Sequence, residues 1–353
     1  MIITLLLITV GFSTIHPPAD SISAGKWKFG GYIDTYFGSS LYSASKSSHP
    51  FFVSSAQNNQ ANINLAYAEL KFENDWFRMN VAPAMGSYMR ANYAAEKENN
   101  KYIFEANAGF RFSKKYNVWV DGGILDSPYS SEGPVSRDQL MYSRSFAPEY
   151  VPYYLSGIRL TIQPSDRWSF KLMRLNGWQQ ITDQNFKKSI GTSLTIKTGN
   201  HSELTYNTYF GDERSIGNLN FRMRAFHDLY MKISDDKKWD AAFGGYIGVQ
   251  NLERGDRLPW WQINVMGRKS FSQKISLSGR VEFFNDPNQV MIRVPESEFR
   301  AFSTGTCLNL HVGKNTLFRI DGRYFLASEK IYEQRSGKTN RDVVLMASMT
   351  SWF

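Results

Sequence analysis

Histidine, the side chain that titrates nearest to neutrality, occurs only five times in 353 residues. His227-Asp228 is the one adjacent pair that suggests a proton relay or a shared metal. On a β-strand, however, neighbouring side chains point to opposite faces, so the two cannot easily meet. His16, His49, His201 and His311 stand apart from any acidic or nucleophilic partner in sequence. Cys307 is the single cysteine, which excludes an internal disulfide and a cysteine-ligated metal cluster. Zinc spacings, phosphate-binding loops and nucleophile elbows are missing from the chain. The sequence therefore predicts no metal, no cofactor and no catalytic centre.

The remaining chemistry is that of fixed charge. Lys and Arg number 41 against 32 Asp and Glu, a formal net charge of +9. The basic residues are dispersed, and the longest basic blocks are pairs such as Lys114-Lys115, Lys187-Lys188 and Lys237-Lys238. A nucleic-acid binder concentrates its positive charge on one patch, so that class is excluded. Twelve charged residues recur instead on one phase of alternating segments. They are Arg78, Glu105, Arg111, Asp121, Arg159, Lys171, Arg268, Arg280, Glu282, Arg319, Asp321 and Arg323. A wall carrying that basic excess would enrich small anions and repel cations, which predicts a weakly anion-selective pore. The bland competitor is that these charges pair with one another and merely solvate the lumen.

Such a wall needs strands to position it. Beyond the first two dozen residues, the chain reads as about sixteen β-type segments of roughly ten residues, the pattern of a transmembrane barrel. The expected strands are 26–38, 60–73, 75–85, 101–113, 116–126, 150–163, 167–177 and 187–198, then 201–211, 222–234, 238–250, 259–271, 273–285, 300–311, 315–326 and 342–353. Tight turns of Gly, Pro, Asn, Asp and Ser alternate with longer connections near 39–59, 86–100, 127–149, 178–186, 212–221, 251–258, 286–299 and 327–341. An even strand number puts both termini on the tight-turn, periplasmic side. Phe318 and Ile320 share one face while Arg319, Asp321 and Arg323 share the other. A charge on the lipid face at mid-membrane costs about 2–4 kcal/mol, so the charged phase must face inward. Segments 60–73 and 167–177 break phase, at Glu69 and Lys71 and at Met173 and Leu175, which predicts a bulge or a register error in each. Aromatic residues near segment ends (Tyr36-Phe37, Tyr116, Trp119, Trp168, Trp178, Trp239, Trp260-Trp261 and Trp352) are expected to form interfacial girdles.

Mean hydropathy is low, at −0.41, and no internal apolar run approaches the roughly 20 residues of a membrane helix. Ile2 to Phe12 is a short apolar stretch followed by Pro17-Pro18 and small residues to Ala24, so 1–24 is expected to be a signal peptide and 25–353 a single barrel domain. The third connection, 127–149, is among the longest and carries Glu132, Arg137, Asp138 and Arg144. By analogy with sixteen-stranded porins it is expected to fold inward as a constriction loop. The chain stops in phase at Phe353, which resembles the terminal aromatic residue read by the barrel-insertion machinery; Ser351 departs from that pattern.

The body carries the runs Gly31-Tyr32-Ile33-Asp34-Thr35-Tyr36, Asn64-Leu65-Ala66-Tyr67-Ala68-Glu69-Leu70, Ala91-Asn92-Tyr93 and Asp121-Gly122-Gly123-Ile124. Further along come Pro152-Tyr153-Tyr154, Leu175-Asn176-Gly177-Trp178-Gln179, Phe210-Gly211-Asp212-Glu213 and Phe226-His227-Asp228-Leu229-Tyr230. In these runs the chain resembles the OmpL-like β-barrel porin family of Gram-negative outer membranes. These short motifs span most of the mature chain, and none is catalytic. The resemblance implies an outer-membrane porin in contact with lipid that passes small hydrophilic solutes by diffusion, with homo-oligomers open as a possibility. Two other readings stand beside it: a plugged barrel acting through its external loops as a scaffold, adhesin or receptor, and an outer-membrane hydrolase.

Overall fold

The computed structural model describes residues 25–353 except 44–46, 216, 236–237, 295–296 and 335–336. The expected leader 1–24, with His16, lies outside the described residues. The first eight strands are β1 (Lys26–Ser40), β2 (Gln60–Glu73), β3 (Phe77–Met85), β4 (Ile103–Ser113), β5 (Val118–Asp126), β6 (Tyr154–Ser165), β7 (Trp168–Leu175) and β8 (Ser189–Gly199). The next seven are β9 (Ser202–Asp212), β10 (Phe221–Ser234), β11 (Trp239–Leu252), β12 (Arg257–Ser270), β13 (Ile275–Asp286), β14 (Phe299–Val312) and β15 (Thr316–Ala327). A small hairpin, β16 (Tyr332–Gln334) with β17 (Gly337–Thr339), decorates the last outer loop before β18 (Arg341–Trp352).

Sixteen strands close into one antiparallel barrel, because β18 pairs with β15 on one side and with β1 on the other. Phe353 extends the seam by exchanging backbone hydrogen bonds with Gly31. Closure leaves no open sheet edge, which is what a strand-built membrane span requires. Outward positions carry Ile263, Val265, Ile275, Leu277, Val281, Phe318, Ile320 and Leu345, all exposed. The apolar phase thus faces the lipid, as its alternation demands.

The tight turns form through side-chain acceptors. Asn74 Oδ1 takes the backbone N–H groups of Trp76 (2.9 Å) and Phe77 (2.7 Å), closing the β2–β3 turn. One outer connection departs from the expected alternation. The segment expected over 251–258 shrinks to residues 253–256, because β11 and β12 each run two residues further than their patterns indicated.

The two phase breaks have different causes. β2 does contain a bulge: the register shifts where Asp34 and Thr35 face Leu65 and Ile63, leaving Asn64 as the extra residue. The bulge turns Asn64 inward beside Leu65, and both are fully buried. β7 pairs regularly with β8, and its register shift lies against β6, where Ile162 and Ser165 face Phe170 and Trp168, away from Met173 and Leu175. Lys171, Met173 and Leu175 simply share the inner face, and the last two are buried in a core. Half of the ten end-of-strand aromatics also belong to that inside. Phe37, Tyr116, Trp168 and Trp239 are exposed on the outer surface, whereas Tyr36, Trp119 and Trp260 are buried within and Trp178 and Trp352 pack on the inner cores. The girdle expectation is corrected for those five residues. The reason is that the lumen of this barrel is filled, so its inner phase also recruits aromatic side chains.

Candidate functional site

The filling comes from the outer loops, above all from the third, between β5 and β6. It begins with buried Tyr129 and ends with the single-turn α2 (Phe146–Glu149). Ser145 caps that turn, its Oγ accepting from Ala147 N at 3.2 Å. From Pro128 to Glu149 the loop crosses the barrel and touches strands on nearly every side. Near its start, Pro128 O accepts from Asn207 Nδ2 (2.9 Å) and Tyr230 Oη (3.1 Å), and Ser130 N donates to Asp228 (2.9 Å). In its middle, Ser136 donates its N–H to Tyr32 Oη (2.8 Å) and its hydroxyl to Asp34 (2.6 Å) on β1.

Its second half is held by charge. Arg319 donates to the carbonyls of Ser136 (2.6 Å) and Gln139 (2.7 Å). Asp321 accepts from the N–H groups of Tyr142 and Ser143, each at 3.2 Å, and from Ser143 Oγ at 2.8 Å. Arg280 donates to Ser143 O (2.7 Å), and Arg323 to Arg144 O (2.7 Å) and Glu282 (2.6 Å). Glu282 also accepts from Phe146 N at 2.6 Å. All five wall residues are buried, Arg319 at 1 % exposure and Glu282 at 2 %. They supply the backbone partners that a loop in a dehydrated interior must have.

The twelve expected wall residues therefore fall into two groups. All occupy the inner phase of their strands by register. Arg280, Glu282, Arg319, Asp321 and Arg323 do not face open water, however, because the loop covers them. Arg78, Glu105, Arg111, Asp121, Arg159, Lys171 and Arg268 lie on β3–β7 and β12 outside that contact. There Arg78 grips Asp121 with two bonds (2.6 and 2.5 Å), Arg159 holds Asp126 (2.7 Å), Glu105 accepts from Asn80 (2.6 Å), and Arg268 pairs with Asp240 (2.8 Å). Arg78 and Arg111 flank the Trp119 ring at 4.3 and 4.6 Å.

The loop's own charges divide in the same way. Arg144, 1 % exposed, is turned back into the loop and donates to the carbonyls of Gly133 (2.7 Å) and Pro134 (3.1 Å). Arg144 thus belongs to the inward-folded loop as one of its internal ties: a buried guanidinium with five donors helps so long a loop hold its shape. Glu132 accepts from Ser145 N at 3.1 Å and from its hydroxyl. Arg137 and Asp138 remain open and lie 3.4 Å apart. Two cavities flank this stretch. One, of about 360 Å³, is lined by Glu132, Asp138 and Gln139 of the loop and by Lys197, Lys232 and Arg268 of the wall. The other, of about 210 Å³, shares Glu132, Asp138 and Gln139 and adds Glu105 and Asp126.

Above the third loop, its neighbours knit together. Phe52 of the first loop, Ile292 of the seventh and Tyr332 of the eighth join Phe146, Phe284 and Phe325 in one core. Glu149 accepts from Ser54 N (3.0 Å), Val53 N and Tyr153 Oη (3.1 Å), so the third loop grips the first. Burial pushes the Glu149 carboxyl up to about 7. On the other side, Glu96 accepts from Ile181 N at 2.6 Å and ties the second loop, which contains α1 (Ser87–Asn92), to the fourth.

Some anchors escaped the sequence reading. Asp34 and Asp228 are buried loop acceptors, and the signal for each in the sequence is a carboxylate on the inner phase of a strand. His227 does part from Asp228: it points outward and bonds Tyr206 Oη at 2.7 Å. Among the described residues, no group of three His, Cys, Asp or Glu gathers as a metal site would need.

A sixteen-stranded closed barrel with a lipid-facing apolar belt and an inward-folded loop defines an outer-membrane channel protein. The chain belongs to the family described as "Putative beta-barrel porin-2, OmpL-like", whose pattern matches residues 26–353. Its place is accordingly the outer membrane of a Gram-negative bacterium. No curated protein matches the sequence. Solved structures share the fold at low identity. The anion-selective porin from Comamonas acidovorans is 7% identical, with TM-score 0.61 over 94% of this chain and 100% of that one. The outer-membrane channel DcaP of Acinetobacter baumannii is 9% identical, with TM-score 0.61 over 94% and 98%. A trimer form of OmpT from Vibrio cholerae is 10% identical, with TM-score 0.59 over 94% and 100%.

Proposed function

We propose that this protein lets small hydrophilic solutes diffuse passively across the outer membrane, with a weak preference for anions, after export directed by residues 1–24. The observation that carries this reading is the third loop, laid across the lumen with a cavity of about 360 Å³ and another of about 210 Å³ beside Glu132, Asp138 and Gln139. A conduit narrowed by a fixed loop sorts solutes by width and by the charge of its walls, with no energy source. The anion preference rests on the wall left uncovered at the tight-turn end, where Lys26, Lys28, Lys71, Arg78 and Arg111 outnumber Glu73 and Asp75. Phe353, at the seam, is read as the residue the insertion machinery recognises. Assembly into homo-oligomers, as in the trimer form of the Vibrio cholerae barrel, belongs to the same proposal. No catalytic role is assigned to any residue.

Channel recording of the refolded protein in planar bilayers tests it. Stepwise conductance is expected, with a reversal potential under a salt gradient that favours chloride weakly. Deleting 130–146 should raise conductance, and an unchanged value would refute the constriction. A second reading is favoured by the loop-packed outer half of the lumen: a barrel that acts as a scaffold through its loops. Absence of any conductance in the folded protein would select it.

A further inference from the structure

At the tight-turn end of β1–β4 the inner wall holds a recess of about 540 Å³ with an unusual charge arrangement. Lys28 of β1 stands directly opposite Lys71 of β2 in the ladder. Like charges so placed repel one another unless something negative lies between them. Lys71 has Glu69 at 2.8 Å, but among the described residues no carboxylate lies within ion-pair distance of Lys28 or Arg111. Arg111 rests one face on Trp119 at 4.6 Å, and its Nε is buried without a hydrogen-bond partner. Arg78 on the other face of that ring is already spent on Asp121. Asp75 at the rim is likewise engaged, by Lys114 at 2.9 Å. The recess thus offers the Arg111 guanidinium and the Lys28 ammonium, neither with a carboxylate in ion-pair range among the described residues, beside a Lys71 paired with Glu69. Elsewhere on the inner wall Arg159 pairs with Asp126 and Arg268 with Asp240.

We infer that this recess is a docking site for a compact phosphate-type oxyanion at the periplasmic end of the conduit. The chemistry is specific to that class. Guanidinium forks suit tetrahedral oxyanions, and lysines add point charge around them. The inference deepens the proposed anion preference and rests on it, since it assigns that preference to one built site rather than to a diffuse wall. A soluble phosphate and a phospholipid headgroup share this chemistry. The charges of the recess, Lys28, Lys71, Arg78 and Arg111, stand on the inner phase of their strands, which favours the soluble form.

The test uses inorganic pyrophosphate with the refolded full chain in neutral detergent, read by titration calorimetry and by Trp119-sensitive fluorescence quenching. Saturable binding is expected, weakened roughly tenfold or more in a Lys28→Gln/Arg111→Gln double variant. Lys115→Gln, a charge loss at the same rim outside the recess, should leave binding unchanged. A non-saturable response, or equal weakening by Lys115→Gln, overturns the site. Micelles doped with phosphatidylglycerol should not displace pyrophosphate; displacement would overturn the soluble form of the ligand. Far-ultraviolet circular dichroism confirms that each variant is folded. Because binding is read without current, conductance with no binding refutes this inference alone, and binding with no conductance refutes the diffusion reading alone.

Discussion

The wall of β13–β15 and the wall of β1–β4 are written in the same alternation of charged and apolar residues, yet they do different work. On β13–β15, Arg280, Glu282, Arg319, Asp321 and Arg323 are sealed under the third loop and bond its backbone. On β1–β4, Lys28, Lys71 and Arg111 line an open recess. A charge on the inner phase of a barrel strand is therefore of two kinds: a structural tie where a loop descends on it, and an element of the solute's electrostatic environment where none does. Desolvated ties are costly to cut but are not felt by a passing ion. Exposed charges cost little to remove and set selectivity.

The comparison breaks most sharply at Glu282. Glu282→Ala strands Arg280 and Arg323 without their shared carboxylate, a loss of about 3–5 kcal/mol. Denaturant unfolding should show it, and the freed loop should raise single-channel conductance. Glu149, between the third and first loops, comes next. Its raised carboxyl pKa, from 4.5 to about 7, means that ionising it in the folded protein works against the structure. The sign is that stability from this group is present below about pH 4.5 and is lost as pH rises through 7. Acidification from pH 7 should thus strengthen the loop contact by up to about 3 kcal/mol, seen as slower amide exchange at residues 51–56. Glu149→Gln should flatten that pH dependence. Ser145→Ala, which removes the cap of α2, should cost about 1 kcal/mol in the same unfolding assay. The smallest stability change belongs to the open wall. Lys28→Gln and Arg111→Gln should each stay within about 0.5 kcal/mol of the parent protein, while the reversal potential moves toward cations. A stability loss as large as that of Glu282→Ala would erase the distinction between the two walls.

Much of this was legible beforehand. The sixteen strands, their inner and outer phases and the inward residues follow from period-two patterning, since a misplaced charge in lipid is too costly for the pattern to be ambiguous. Glu132 and Arg144 of the third loop are visible in the sequence as residues, but the groups they bond are not. Arg144 reads in sequence like Arg137, and only the fold turns the first into the loop and leaves the second open. Met173 and Leu175 read as a phase error and are instead an apolar patch of a filled lumen.

What the sequence by itself determined is the closed barrel, its orientation and which side of each strand meets lipid. These depend on local alternation and turn chemistry, and each strand reports them independently of the others. What only the tertiary structure decided is which inward charges touch water. That depends on where a loop of more than twenty residues comes to rest, and on contacts such as Arg319 with Ser136, 183 positions apart. No local period encodes a contact of that range, because the energy that selects it arises only when both groups leave water together.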